Sequence, residues 1–266
     1  MTAPLVPPTP FGEAWPRVQL SAAPLVRVVA QVRFSQVLRV SDEAFITPFQ
    51  EAIRDQYPEL SRELQQQVVI TDKGAQPGFA ATIWRFRDPA SGFQVSLAPD
   101  FVALDTSSYT DRHDFFGRFT AALDATAEHI HPGLATRLGV RYVDRLEGES
   151  TSRLPKLIRA ELLTFENVDL GSGVLQRGIS EAEFAVGENQ LKARWGLMPP
   201  ETTHDPSIEP SKAKSWILDL DASTQELGSF DAPSLSSRAR DLGDVVYRFF
   251  RWVVSETFLE EHGGDL

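Results

Sequence analysis

The sequence predicts an α+β fold: an antiparallel sheet built from two β-α-β(n)-α units, with long helices packed on one face. Three observations lead there. Stretches of two-residue apolar alternation are separated by short Pro-, Gly- and Asp-rich turns, two long segments carry helical periodicity, and the order of elements recurs in the two halves of the chain. At 266 residues the length suits one bilobed fold or two domains. The 42% hydrophobic and 24% charged fractions exclude wholesale disorder.

Pro4, Pro7, Pro8, Pro10 and Pro16 make residues 1–23 an extended lead-in, because proline lacks the amide donor that helix interiors and central strands use. Val26, Val28, Ala30, Val32 and Phe34 then share the core face of a first strand. Thr47-Pro48-Phe49-Gln50 reads as a capping box for a helix ending before Pro58, with an earlier turn from Ser41 kinked at Pro48. Strands over 67–71, 80–87, 93–98 and 101–106 follow as a meander joined by short turns. A helix over 110–131 carries Phe115, Phe116, Phe119, Leu123, Ala127 and Ile130, and Pro132-Gly133 ends it.

The second half predicts a strand over 138–146, a shorter helix over 154–165, and strands 178–186 and 190–198 paired across Gly187-Glu188-Asn189. Four prolines mark 199–211 as a surface loop and the best internal site for proteolysis. A strand over 216–221 and a long helix over 233–261 close the chain. Residues 24–133 and 134–266 thus read as repeated units, continuous or separate. Leu104-Asp-Thr-Ser-Ser108 and Leu220-Asp-Ala-Ser-Thr224 stand before the two long helices as a local echo. Joined edge to edge, such units would resemble the TATA-binding-protein-like or helix-grip architectures.

Composition restricts the chemistry. The chain holds no cysteine, so disulfides, thiolate nucleophiles and zinc–thiolate sites are excluded. Its formal charge of −11 repels a polyanion, which makes nucleic acid an unfavourable partner. No apolar run approaches the ~20 residues of a membrane span, and Met1 to Pro16 lacks a signal-peptide pattern, so a cytoplasmic protein without membrane association is expected. No phosphate loop, H-E-x-x-H or nucleophile elbow is present, and Gly171-Ser-Gly173 reads as a turn. His129 and His131 suit the negative end of a helix dipole, and His113 beside Asp111 and Asp114 would need a third ligand to hold a metal. His204 and His262 fall in loop and tail. No catalytic residue, metal or cofactor is therefore expected.

Charged strand positions are the candidate binding residues. Alternation sends Arg27, Gln31 and Arg33 away from the core, and likewise Arg137, Arg141 and Arg145 opposite Leu138, Val140, Tyr142 and Leu146. Lys192 and Arg194, Asp219 and Asp221, with Glu181 and Glu183, join the same polar face. That face reads either as a solvated surface of cross-strand ion pairs worth about 0.2–1 kcal/mol each, or as a recognition surface on which Arg33, Arg141, Arg145, Arg194, Asp219 and Asp221 engage a carboxylate-bearing partner. Trp252 lies off the apolar stripe of the last helix and is a further contact candidate.

Residues 24–34, 49–58, 109–119, 137–144 and the closing aromatic helix resemble those of a sporadically distributed, uncharacterised bacterial protein family. The resemblance spans nearly the whole chain and implies no catalytic residue. It implies a mobile or accessory role of the toxin–antitoxin, immunity or phage-defence kind. The expected function is a non-enzymatic protein-binding module that self-associates or captures a partner, with a basic partner suiting the chain's charge. The alternative is an enzyme or small-ligand protein with a pocket between sheet and helices, anchored by Arg141, Asp144, Asp219 or Asp221. A third reading places single-stranded nucleic acid on Trp84 and Phe86.

Overall fold

A computed structural model describes residues 9–13, 15–71 and 74–265, so the readings of Pro4, Pro7 and Pro8 lie outside the described residues. The fold is α+β with a large open antiparallel sheet. Its strands are β1 (Leu25–Phe34), β2 (Glu59–Thr71), β3 (Gly74–Asp88), β4 (Phe93–Ala98), β5 (Phe101–Thr106), β6 (Leu134–Glu147), β7 (Gly178–Val186), β8 (Asn189–Met198) and β9 (Ser215–Ser229). The helices are α1 (Glu43–Ile53), α2 (Arg112–His129), α3 (Leu154–Leu157), α4 (Ala232–Val253) and α5 (Glu256–Glu261). Strand order is β2-β3-β4-β5-β1-β6-β9-β8-β7. No helix among the described residues is long and apolar enough to cross a membrane.

The chain divides into two compact units. One holds Val29–Gly139 and Thr224–Arg240, and is here the β2–β5 unit; the other holds Met1–Val28, Val140–Ser223 and Asp241–Leu266, and is the β7–β8 unit.

In the β2–β5 unit, apolar alternation and helical periodicity converge on an aromatic core. Phe49 and Phe86 lie 5.4 Å apart, Phe93 and Phe115 6.3 Å, and Phe115 and Phe116 meet edge to face at 5.4 Å. Asp111 caps α2 by accepting from Asp114 N at 2.9 Å. Helix α1 starts earlier than the capping box suggests: Asp42 is the cap, accepting from Ala44 N at 3.0 Å, while Thr47 bonds back to Glu43 O and Pro48 lies inside the helix. Asp42 offers a carboxylate before an uninterrupted amphipathic run, and one lost backbone donor at Pro48 is outweighed by burial of Ile46, Phe49 and Ile53. Trp84 and Phe86 are buried, and Trp84 Nε1 donates to Val40 O at 2.7 Å, so neither offers a face for a stacked base. Strands β2 and β3 are longer than alternation indicated. Polar residues 59–63 join the ladder because cross-strand pairs satisfy them, as where Arg85 donates to Glu63 at 2.8 and 3.0 Å.

In the β7–β8 unit, the expected helix over 154–165 shortens to α3, and the expected helix over 233–261 breaks at Val254–Ser255. One cause serves both. Ile158 turns extended and bridges Val254, Arg159 N donates to Val253 O, Ser255 N donates to Leu157 O, and Ser255 then caps α5 through Phe258 N. The described part of the lead-in lies along α4: Val18 N donates to Tyr247 Oη at 2.8 Å, Arg17 pairs with Asp244, and Phe11 meets Phe184 and Phe249 at 5.4 and 5.7 Å. The β7–β8 turn is made by Gly187 at φ +62°, a left-handed position as hairpins require. Within β8, Gly196 sits at φ +138°, and a Cβ there would overlap the Gly178 carbonyl oxygen. Gly196→Ala is therefore expected to cost about 1–3 kcal/mol in urea unfolding, and an unchanged midpoint would contradict this strand packing.

Candidate functional site

The polar face of the β7–β8 unit gathers most of the charged positions singled out from the sequence. Register explains how. Arg194 of β8 stands opposite Glu181 of β7 and Asp219 of β9, while Lys192 stands opposite Glu183 and Asp221. Charges therefore alternate across three antiparallel strands. Arg194 donates to Glu181 at 2.7 and 2.9 Å and lies 3.6 Å from Asp219, and Lys192 lies 2.8 Å from Glu181 and 3.4 Å from Glu183. The outer pairs are solvent-accessible and weak, whereas Asp219 is buried.

Arg141 of β6 is the hub. Its Nε and Nη2 donate to both carboxylate oxygens of Asp219 at 2.7 and 2.8 Å, and its Nη1 donates to Asp205 at 2.6 Å. This two-pronged geometry is what a planar guanidinium supplies and an ammonium cannot. His204 Nε2 meets Asp219 Oδ2 at 3.0 Å. Burial would raise the Asp219 carboxyl, but hydrogen bonds from His204 and Arg141 and their charges outweigh it and hold the group below the usual range. Asp205 behaves likewise: desolvation is overcome by the Ser207 amide and Arg141, leaving it at about 2. Arg141 is itself raised, its desolvation more than offset by Asp219 and Asp205.

His204 and Asp205 belong to the Pro-rich loop over 199–214, which lies at the surface as its prolines suggest. Its anchored side chains make it a strap across the polar face. Arg27 donates to Ser207 O, Arg145 donates to Glu209 O at 2.7 Å, and Ile208 and Ser211 are buried. Prolines suited a surface loop; the side chains between them, which anchor it, carried no periodic signal. Strand β6 consequently buries Val143 on this side as well as Val140 and Leu146 on the other, and Tyr142 is only half-buried. Asp144 shares the parity of Val140 and Leu146, so it faces inward among apolar residues, and burial alone pushes its carboxyl up to about 7.

The remaining candidates are separate from this cluster. Arg33, in β1 and the β2–β5 unit, is exposed, 3.0 Å from Asp100. Trp252 lies half-buried, 5.6 Å from Phe249, with the Arg159 guanidinium 4.8 Å over its ring. Asp221 holds its register place opposite Lys192. His113 is exposed, Asp111 caps α2 and Asp114 pairs with Arg118, and no group of three His, Cys, Asp or Glu able to hold a metal occurs among the described residues. Two features were missed from sequence. Arg118 pairs with Asp114 at 3.0 Å and Asp88 at 3.6 Å beneath Phe93, a cluster assembled from distant segments. The segment over 163–177 leaves Phe165, Val168, Leu170 and Val174 exposed by 56, 51, 38 and 72%.

No protein-family model matches the chain, and none of the curated proteins is significantly similar to it.

Proposed function

We propose that the protein is a non-enzymatic binding module that captures a basic protein partner through the segment over 163–177. The observation that carries this reading is the exposure there of Phe165, Val168, Leu170 and Val174 within ten residues, with the exposed Asp169 among them. A long connection without helix or strand that displays apolar side chains is an unusual expense unless it binds something. The Asp169 carboxylate beside the apolar groups, in a chain of charge −11, favours a cationic partner and speeds its encounter. Local turns hold the segment in shape: Gly171 N donates to Asp169 Oδ1 at 2.9 Å and Gly173 N to Leu170 O at 2.9 Å. Such order lowers the entropic cost of binding. The strand cations are less suited to recognition, since Arg141 and Arg145 hold the strap and Arg194 holds Glu181.

An antitoxin-like or immunity-like role is the concrete form of this proposal, drawn from the resemblance of the sequence to a sporadic bacterial family. The same reading takes the two halves as a duplicated unit of the TATA-binding-protein-like or helix-grip kind. Strand order supports it, with β5-β4-β3-β2 in one unit and β9-β8-β7 in the other, each a run of neighbours in reverse chain order.

The binding test uses a labelled peptide of alternating Lys and Leu, with a Glu/Leu peptide as control. The full chain is expected to bind the cationic peptide at least about tenfold more tightly than its Phe165→Ser/Val174→Ser variant. Equal affinities would show that net charge alone attracts the peptide and would refute the assignment.

A further inference from the structure

We infer that two copies of this chain associate by pairing their β2 edges, a surface distinct from the segment over 163–177. Strand β2 ends the strand order, so among the described residues its outer edge along Glu59–Thr71 has no neighbouring strand to take up its backbone donors and acceptors. Its partner β3 pairs with β4 only from Trp84 to Asp88, which leaves β3 from Gly74 to Ile83 with β2 as its one neighbour among the described strands. The two strands thus continue past the end of β4 as a two-stranded ribbon. Such a ribbon is at best marginally stable in water by itself.

The sequence of the ribbon says what covers it. Between Glu63 and Arg85 the only charges are Asp72 and Lys73, which cancel, in a chain that is 24% charged as a whole. Residues Gln65-Gln-Gln-Val-Val-Ile-Thr71 combine β-forming side chains with no charge and no proline, where natural edges are usually blunted by lysine or proline. Leu60 and Leu64, which share one face, are exposed by 38 and 60%. Two copies of charge −11 repel each other over most approaches, and the uncharged stretch of β2 from Leu64 to Thr71 is where they can meet with least penalty. A basic partner, by contrast, gains little from that stretch, because the carboxylates of β2, Glu59 and Glu63, precede it and Glu63 already accepts from Arg85. Two-fold pairing of β2 with its own copy satisfies both edges with one self-complementary contact.

Sedimentation equilibrium of the full chain, from about 1 to 200 μM, tests this. The chain should approach twice its 29.6 kDa mass as concentration rises. Val69→Lys and Val69→Glu should each raise the midpoint at least about tenfold, and mixing the two variants should restore association. Hydrogen exchange of the unmodified chain adds a readout that does not depend on how a variant folds: amides of 60–71 should gain protection between the lowest and highest concentrations. A chain that stays monomeric, variants that associate like the parent, or protection that rises only when phosphatidylcholine vesicles are added would each overturn the inference.

Discussion

Asp219→Ala is expected to destabilise the protein by about 3–5 kcal/mol, because it removes one partner of a buried charge pair and leaves the other. Arg141 is about one-fifth exposed as a side chain, its fork lies on both oxygens of Asp219, and His204 depends on the same carboxylate. Without that carboxylate the guanidinium keeps only Asp205, and the strap over 199–214 loses an anchor. Urea unfolding near neutral pH measures the loss, and limited proteolysis locates it: the parent should resist cleavage in 199–214 and the variant should be cut there. Replacing Arg141 and Asp219 together by Met and Leu should cost clearly less than the single changes added, because no buried charge is then stranded. If the double change costs the full sum, the two residues are not coupled as their geometry requires. Acid should mimic the single change. Asp219 and Asp205 lie below their unfolded values, so their contribution is present above pH ~4 and is lost as pH falls, that of Asp205 towards about 2.

Much of the architecture was legible because burial repeats with the period of the local structure. Strands β1, β4, β5 and β8 and helix α2 lie where alternation or helical spacing places them, since each buries side chains in a core, and β7 follows from its short turn to β8. Misreadings occur where a non-local contact decides. Val254 leaves the helix to bridge Ile158, an event no window of one segment contains. Residues 59–63 look like loop until Arg85 stands beside Glu63. The same holds for the polar face. Alternation identified Arg141, Arg194 and Asp219 as neighbours on one side of the sheet, but that His204 and Asp205 fold over them is a tertiary fact. Strand β9 shows the consequence: Asp219 looks solvent-facing by parity, yet it is 4% exposed because the strap lies above it. The apolar segment over 163–177 escaped notice for the opposite reason, as exposed Phe165 and Val174 follow no period.

Asp144 provides the second large effect, of opposite sign. In the native chain its carboxyl is 6% exposed on the side of β6 that carries Val140 and Leu146, and burial raises it to about 7. Two contacts fix its setting: Gly148 N donates to Lys214 O at 3.2 Å, and Arg141 grips Asp219, so Asp144 lies along β6 beside the 216–218 stretch of β9. Trp216 there is buried with an indole N–H that has no hydrogen-bond acceptor among the described residues, and burial is what raises the Asp144 carboxyl. Unfolding returns the group to its ordinary value near 3.8. Between these values the native state holds a proton that the unfolded chain releases, so this residue's contribution falls as pH rises from about 4 to about 7 and is level above. The accumulated cost is about 4 kcal/mol at pH 8. Asp144→Asn removes the ionisation, so its stability relative to the parent should improve steadily over that interval and then plateau, while at pH 4 it should be nearly neutral or slightly unfavourable. Because other carboxylates titrate at low pH, the difference between variant and parent is the quantity to follow, by urea unfolding at each pH. A difference independent of pH would mean that Asp144 ionises as freely in the native protein as in the unfolded chain, and would move it out of the core of the β7–β8 unit.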